Sequence, residues 1–240
     1  MLILAIDSST PVAGVALVQD GNLVRESFIN FKQTHSEMLM PLVDQTLRGC
    51  ELTARDLDAL AVTIGPGSFT GLRIGMAAVK GLSLAADLPV VGVSTLATLA
   101  HNICFTDHLV CPMLNARRQE VYGGCFDNRG PFPQLIGEEV ACPAEQFACS
   151  ARELARRQGR PGIIMLGDGF APYREIFESQ LGDQLHIAPA PLMLPRAAAL
   201  GSLALVKATR GEYEEAMLMR PVTYVCQRRN GNWEKESCKC

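Results

Sequence analysis

A strand, a glycine-rich loop, an apolar helix and a second strand follow one another over residues 60–93, and this order constrains the fold more than any other segment. The strand is predicted over 60–64, the loop over 65–71 and the helix over 71–86. Strands that alternate with helices favour a sheet covered by helices. The helix is apolar on almost every side, so one side must pack on the sheet and another on a further helix or a partner.

Three more strands are predicted ahead of this unit. Asp20 and Gly21 form a hairpin-turn signal between two of them, because both residues tolerate positive φ. A helix with an apolar stripe begins near residue 36, and its internal Pro41 predicts a late start or a distortion. The first half therefore predicts a mixed sheet with strands over 2–6, 12–18, 23–29, 60–64 and 89–93.

The second half of the chain has a less regular pattern. It predicts strands over 109–114, 121–126, 135–140 and 162–166 and helices over 149–158 and 195–209. A boundary between two lobes fits best near 103–109. We therefore divide the chain into an N-terminal lobe over 1–104, a C-terminal lobe over 105–226 and a polar tail over 227–240.

Charge and cysteine usage exclude several classes of function. The net charge is -3 in 240 residues, which provides no broad basic field for nucleic acid. The first residues include no charged region ahead of the apolar run, and no stretch is apolar enough to span a bilayer. We therefore expect neither a secretory leader nor a membrane segment. The nine cysteines are scattered without a C-x-x-C pair, which is typical of a reduced, cytoplasmic protein.

The glycine-rich loop at 65–71 has two interpretations. Backbone N–H groups at the start of a helix attract anions, so the loop can hold a phosphate. It can equally be a tight turn that lets the helix pack closely on the sheet. It is neither a Walker loop nor a dinucleotide-binding fingerprint, because the required Lys and the required glycine spacing are missing.

Asp7 and the histidines are the other candidates for chemistry. Asp7 ends the first strand, where it can hold Mg²⁺ and phosphate or accept hydrogen bonds within a turn. The four histidines show no H-E-x-x-H or other compact ligand spacing, so the residues predict no metal site.

Four segments resemble, in order along the chain, the TsaB family: LAIDSSTPVAGVAL, HSEMLMPLVDQTL, GPGSFTGLRIGMAAVKGLSLA and NARRQEVYGGCF. The GPGSFTGLR segment is specific to TsaB and its catalytic relative TsaD. The resemblance runs from residue 2 to about 127, with weaker agreement at GDGF and RPVTYV. It implies the α/β actin-like, sugar-kinase-like ATPase fold, with two ribonuclease-H-like lobes and mixed sheets. It also implies a non-catalytic subunit required with TsaD for threonylcarbamoyl transfer to adenosine 37 of tRNAs that read codons beginning with adenine.

Departures from TsaD imply that catalytic machinery is missing. TsaD carries a metal-binding H-x-x-x-H pair after the strand that matches 90–93, where this chain has Thr95 and Leu99. Neither side chain can replace imidazole as a ligand for iron or zinc. The segment LGDGFAPYREIF does not match the adenosine motif of TsaD, and Asn115 replaces an aspartate common in TsaB-like chains. We therefore expect no cofactor, although a glycoprotease-like metallopeptidase and an ATP-dependent phosphotransferase remain alternatives.

The resemblance further implies which partners the chain has. TsaD would pair with the N-terminal lobe through the helices over 36–48 and 71–86, and TsaE would join through the TsaB–TsaD complex. A homodimer is expected when the chain is alone, and direct binding of tRNA or a membrane is not expected. The apolar and small-residue faces of the two helices supply the predicted partner-binding residues: Met38, Leu39, Leu42, Val43, Gly71, Ile74, Gly75, Ala78, Val79 and Leu82.

Overall fold

The structure, a computed structural model, describes residues 1–30, 35–229 and 232–239. The chain forms two compact units. The first contains Met1–Thr98 and Pro195–Val222, and the second contains Leu99–Leu194 and the described residues of Thr223–Cys238. The first unit is therefore not one continuous stretch of the chain.

Apart from short 3₁₀ turns, the elements of the described residues have the following bounds. They are β1 (Leu2–Asp7), β2 (Ala13–Gln19), β3 (Asn22–Ile29), α1 (His35–Arg48), β4 (Ala59–Gly65), α2 (Phe69–Ala86), β5 (Val90–Ser94), α3 (Thr95–Ala100), β6 (Leu109–Arg117), β7 (Glu120–Asp127), β8 (Gln134–Pro143), α4 (Ala144–Arg157), β9 (Ile163–Leu166), α5 (Arg174–Leu181), β10 (Leu185–Ile187), α6 (Ala197–Thr209), β11 (Val222–Arg229) and β12 (Asn232–Lys239).

The first unit contains a mixed sheet with the order β3-β2-β1-β4-β5. β1 is antiparallel to β2 and parallel to β4, while β3 and β5 form the two edges. Because side chains alternate along a strand, Leu4 and Ile6 face the helices α1 and α2, whereas Ile3 and Ala5 face α6. Both faces of β1 are consequently buried, which explains why its sequence is an uninterrupted apolar run.

The helix α6 packs on the first sheet, although its residues follow the second sheet in the sequence. A side chain at Gly201 would place its Cβ 2.6 Å from Val18 Cγ2, so this glycine lets the helix lie close to β2. Arg196, at the start of α6, also forms an ion pair with the buried Glu26 of β3. The two continuous lobes predicted from the sequence therefore differ from the compact units, because α6 returns to the first of them.

The second unit repeats the arrangement of the first. Its sheet has the order β10-β9-β6-β7-β8, in which β6 is antiparallel to β7 and parallel to β9. The central strand therefore has the same kinds of neighbour in both sheets, and α4 and α5 cover the apolar face that includes Leu109 and Met113. Two mixed sheets of the same topology agree with the prediction of two ribonuclease-H-like lobes.

Several elements depart from the sequence predictions. α1 begins at His35 and continues through Pro41, so the late start, one of the two predicted effects of this proline, is wrong. The short elements α5 and β10 had no predicted counterpart. The segment 227–240, predicted as a polar tail, includes the end of β11 and the strand β12, which pair as a two-stranded sheet. None of the helices in the described residues is both long and apolar enough to cross a bilayer.

A buried ion pair stabilises the second unit. The Arg160 side chain is 5% exposed, and its Nη2 lies 2.8 Å from Asp127 Oδ2 at the end of β7. The more exposed Arg129 contacts the same carboxylate at 2.6 Å. Hydrogen bonds from Arg129 and then Arg160 hold the pKa of the Asp127 carboxyl well below its usual range. The folded protein therefore favours the ionised carboxylate.

We expect Asp127→Asn to lower the free energy of unfolding at pH 7 by about 2 kcal/mol, because Arg160 keeps its buried charge without a carboxylate. The pKa of Asp127 is lower in the folded protein than in the unfolded chain, where an aspartate has a pKa of about 3.9. The ion pair therefore stabilises the fold fully above that pH, and this contribution is lost as the pH falls toward the pKa of the folded protein. Urea unfolding at pH 7 and pH 3 should show the difference between the two proteins shrinking at pH 3. An equal difference at both values would contradict the prediction.

Candidate functional site

The carboxyl end of β1 is tied to the carboxyl end of β4 by Asp7. This side chain is 1% exposed. Its Oδ1 accepts hydrogen bonds from the Ser9 backbone N–H at 3.0 Å, from Ser9 Oγ at 2.7 Å and from Thr63 Oγ1 at 2.7 Å. Of the two interpretations of Asp7, these bonds favour the aspartate that fixes a turn.

The glycine-rich loop packs directly on this turn. A side chain at Gly67 would place its Cβ 2.3 Å from the Ser9 backbone oxygen, so only glycine allows such a close approach. The Ser68 N–H donates to the same oxygen at 2.7 Å. The Ser68 hydroxyl in turn accepts from the Gly71 N–H at 3.3 Å and caps α2. The geometry thus favours the loop as a tight connection between β4 and α2.

The inner face of α2 is equally close to the end of β1. A Cβ at Gly75 would lie 2.4 Å from Ser8 Oγ, and this hydroxyl donates to the Gly71 backbone oxygen at 2.8 Å. Gly71 and Gly75 therefore allow the helix to approach its own sheet. The same two glycines are among the predicted partner-binding residues, and in the structure their faces pack against the end of β1.

The ten predicted partner-binding residues divide into two groups in the structure. Buried within the first unit are Leu39, Leu42, Val43, Gly71, Gly75 and Val79. The partly exposed residues are Met38, Ile74, Ala78 and Leu82. Only the second group can touch a partner directly, while the first group supports the helices from beneath.

Sequence reasoning missed the most exposed face of α2, which we call the outer strip and define as Phe69, Arg73, Ala77, Gly81 and Leu84. Leu84 is 79% exposed and Phe69 is 42% exposed. A Cβ at Gly81 would meet no atom within 4 Å. The helical period of the sequence could have identified this face, because Ala77, Gly81 and Leu84 lie on the same side of the helix as the charged Arg73.

The outer strip has the shape of a surface for another helix. Its middle is formed by the small residues Ala77 and Gly81, one turn apart, which let a second helix approach closely. At one end the Arg73 guanidinium lies 3.9 Å from the centre of the Phe69 ring, which holds both side chains in place. On the neighbouring helix α1, Met40 adds a further apolar side chain that is 45% exposed.

The two positions that match the TsaD histidines lie on α3. Both Thr95 and Leu99 are fully buried. The Thr95 hydroxyl oxygen has no hydrogen-bond partner within the described part of the chain. Across the same described residues, no three His, Cys, Asp or Glu side chains are grouped so that they could hold a metal ion.

Known proteins resemble this chain in sequence and in structure. The family model described as TsaD: tRNA N6-adenosine threonylcarbamoyltransferase matches residues 27–227. The Bacillus subtilis tRNA threonylcarbamoyladenosine biosynthesis protein TsaB is 33% identical over 204 residues, which cover 85% of this chain and 86% of that protein. The structure of YeaZ from Pseudomonas aeruginosa superposes with a TM-score of 0.78 at 31% identity, covering 93% of this chain and 100% of the other.

A more distant likeness concerns the fold alone. The ROK hexokinase from Thermus thermophilus superposes with a TM-score of 0.50 at 10% identity, covering 88% of this chain and 100% of the other. Together with the two repeated mixed sheets, this likeness defines a protein of the actin-like, sugar-kinase-like ATPase fold class and confirms the predicted fold. Within that class, the chain belongs to the TsaB family of tRNA threonylcarbamoyladenosine biosynthesis proteins.

We expect Gly75→Ala to destabilise the protein by about 1–2 kcal/mol, because overpacking against Ser8 outweighs the better helix propensity of alanine. Adding Ser8→Ala should recover part of that loss, since it removes the hydroxyl that the new methyl group meets. Gly81→Ala is the matched control on the same helix, and its open surroundings predict equal or higher stability. Chemical unfolding measures all three; the packing argument fails if Gly75→Ala behaves like Gly81→Ala.

Proposed function

We propose that this chain is a non-catalytic subunit that pairs with TsaD. It would support the transfer of threonylcarbamoyl to adenosine 37 of tRNAs that read codons beginning with adenine. Membership in the TsaB family carries the role in threonylcarbamoyladenosine formation. The chain would bind and support TsaD, and the complex would act in the cytoplasm.

Three features of the structure support a role without catalysis. Thr95 and Leu99 stand where TsaD has its metal-binding histidines, and both are buried. The Asp7 carboxylate is already engaged by the Ser9 and Thr63 hydroxyls. The glycine loop is packed against Ser9. Asp7 and the glycine loop thus hold α2 on its sheet, and they therefore serve the surface that α2 presents.

The outer strip of α2 is the observation that carries the proposed pairing. It combines an exposed leucine, a small-residue centre and an ordered Phe69–Arg73 pair on one helix face. Met38 and Met40 of α1, with Ile74, Ala78 and Leu82 of α2, would extend the contact. A stable interface buries roughly 800 Å² on each partner, which two adjacent helices can supply.

The remaining partners follow from the same surface. We propose that a second copy of the chain covers the outer strip when TsaD is absent, so that the homodimer and the heterodimer compete. TsaE would join only through the complex with TsaD. Direct contact with tRNA is not part of the proposal, because the net charge of -3 offers no broad basic field.

The role in the pathway is tested by reconstitution. tRNA modification is measured with TsaD and the other pathway proteins, with and without this chain, and with this chain alone. We expect modification to stop when the chain is omitted and to be absent when it acts alone. Equal modification without it would contradict a required role, and activity of the chain alone would contradict a non-catalytic one.

The pairing surface is tested by Leu84→Glu. The side chain is 79% exposed, so the change should leave the unfolding temperature intact. A charge buried at the interface should cost several kcal/mol, so affinity for TsaD should fall by roughly 100-fold or more. Phe105→Glu, at a side chain that is 76% exposed in the second unit, is the matched control and should bind normally.

Calorimetric titration against TsaD measures the affinity, and size-exclusion chromatography of the variant alone measures its self-association. Unchanged binding by Leu84→Glu would exclude the outer strip as the surface for TsaD. It would not affect the role in the pathway, which the reconstitution tests separately. Leu39→Glu is unsuitable for this purpose, because Leu39 is 1% exposed and the change would disturb the core.

A further inference from the structure

Two buried cysteines of the second unit face each other across neighbouring strands. In the antiparallel pair of β6 and β7, Val110 lies opposite Phe126 and Met113 lies opposite Gly123. This register places Cys111 directly opposite Cys125. Their sulfur atoms are 3.6 Å apart, which is direct contact.

Both thiols point to the face of the sheet that is covered by α4, where Cys111 is fully buried and Cys125 is 9% exposed. Cys142 belongs to the same apolar cluster, but it lies on β8 opposite Val121. Val121 is four residues from Cys125, or about 13 Å along the strand. The register therefore selects Cys111 as the partner of Cys125.

The strand geometry is close to that of a disulfide. Residues directly opposite in an antiparallel pair have Cβ atoms about 4.5–5.5 Å apart, and a disulfide needs about 3.5–4.5 Å. The sulfurs must approach by about 1.5 Å to reach the bond length of about 2.05 Å. Rotation about the two Cα–Cβ bonds, together with a small adjustment of the strands, can supply that movement.

We propose that Cys111 and Cys125 are a site of reversible oxidation, at which a low-molecular-weight disulfide converts the two thiols into an intramolecular disulfide between β6 and β7. Packing alone would be satisfied by any small apolar residues at these two positions. The direct register and the sulfur contact are what a disulfide requires in addition. The inference concerns the second unit and does not depend on the proposed pairing with TsaD.

The reaction is two successive thiol–disulfide exchanges. Cys125 is the more accessible thiol; it loses its proton and attacks the small disulfide, forming a mixed disulfide and releasing one small thiolate. Cys111 then loses its proton and attacks the Cys125 sulfur, which forms the protein disulfide and releases the second thiolate. Both thiolates take up a proton. The protein is oxidised by two electrons, and one small disulfide is reduced to two thiols.

Burial determines the order of these steps. Burial raises the pKa of the Cys111 thiol, and the contact with Cys125 acts in the same direction. Cys111 therefore stays protonated while Cys125 reacts first, and it must lose its proton before it attacks the mixed disulfide. Cys149 is exposed and Cys104 is half-buried, so these two are the sites at which an unselective disulfide would react instead.

The test uses the full chain with graded mixtures of reduced and oxidised glutathione. Remaining thiols are alkylated under denaturing conditions, and tryptic peptides are analysed by mass spectrometry. Trypsin leaves Cys125 within residues 119–129, whereas Cys111 shares residues 81–117 with Cys104. Cys104→Ala is therefore the background in which the cross-linked peptide identifies Cys111. We expect this peptide as the main oxidised product, together with a higher unfolding temperature and full reversal by dithiothreitol.

Cys111→Ala and Cys125→Ala should each abolish the cross-link, while Cys50→Ala, at a half-buried cysteine of the first unit, should leave it unchanged. Peptide mapping of the Cys104→Ala chain, with Cys111 and Cys125 both present, still tests the cross-link if either variant fails to fold. The proposal is overturned if glutathione accumulates on Cys149 or Cys104 without the Cys111–Cys125 peptide. A cross-link between Cys125 and Cys142 would also overturn it.

Discussion

The hydrogen bonds of Asp7 are the constraint on which the first unit depends. One carboxylate oxygen holds the turn at Ser9 and the hydroxyl of Thr63, and so it joins the ends of two parallel strands. The glycine loop rests on the Ser9 backbone, and α2 rests on Ser8. Asp7 and the glycine loop suggest phosphate binding in the sequence, but in the structure they position α2. The outer strip of that helix is the surface that we assign to a partner.

Because the two units share one topology, each has an aspartate that accepts hydrogen bonds near the carboxyl ends of its central strands. In both units a central strand has an antiparallel neighbour on one side and a parallel neighbour on the other. At the end of β6 the Asn115 N–H donates to Asp168 Oδ1 at 3.0 Å, where β1 has the Asp7–Thr63 bond. Burial raises the pKa of Asp168, although the bond from Asn115 opposes this effect. In each unit, an aspartate carboxylate thus accepts a hydrogen bond near the carboxyl end of the central strand or its neighbour.

Core packing occupies one set of residues on α1 and α2, and the proposed partner surface uses another set on the same helices. Leu39, Val79 and Gly75 face inward, and they were predicted as partner-binding because they are apolar or small. Composition cannot separate these two roles when a helix is apolar on nearly every side. The distinction depends on which face the sheet covers. Gly75 meets Ser8, whereas Gly81 meets nothing, although both are glycines on α2.

The sequence by itself determined the strands of the first sheet, every strand of the second sheet except β10, the hairpin at Asp20-Gly21 and the position of α2. These elements follow from local periodicity and turn chemistry. It also determined the family, through motifs that run in order along the first half. Only the tertiary structure decided that α6 returns to the first sheet, that Asp7 bonds to Thr63, and that Cys111 lies opposite Cys125. Each of these depends on contacts between residues distant in the chain, and such contacts are fixed by packing rather than by local pattern.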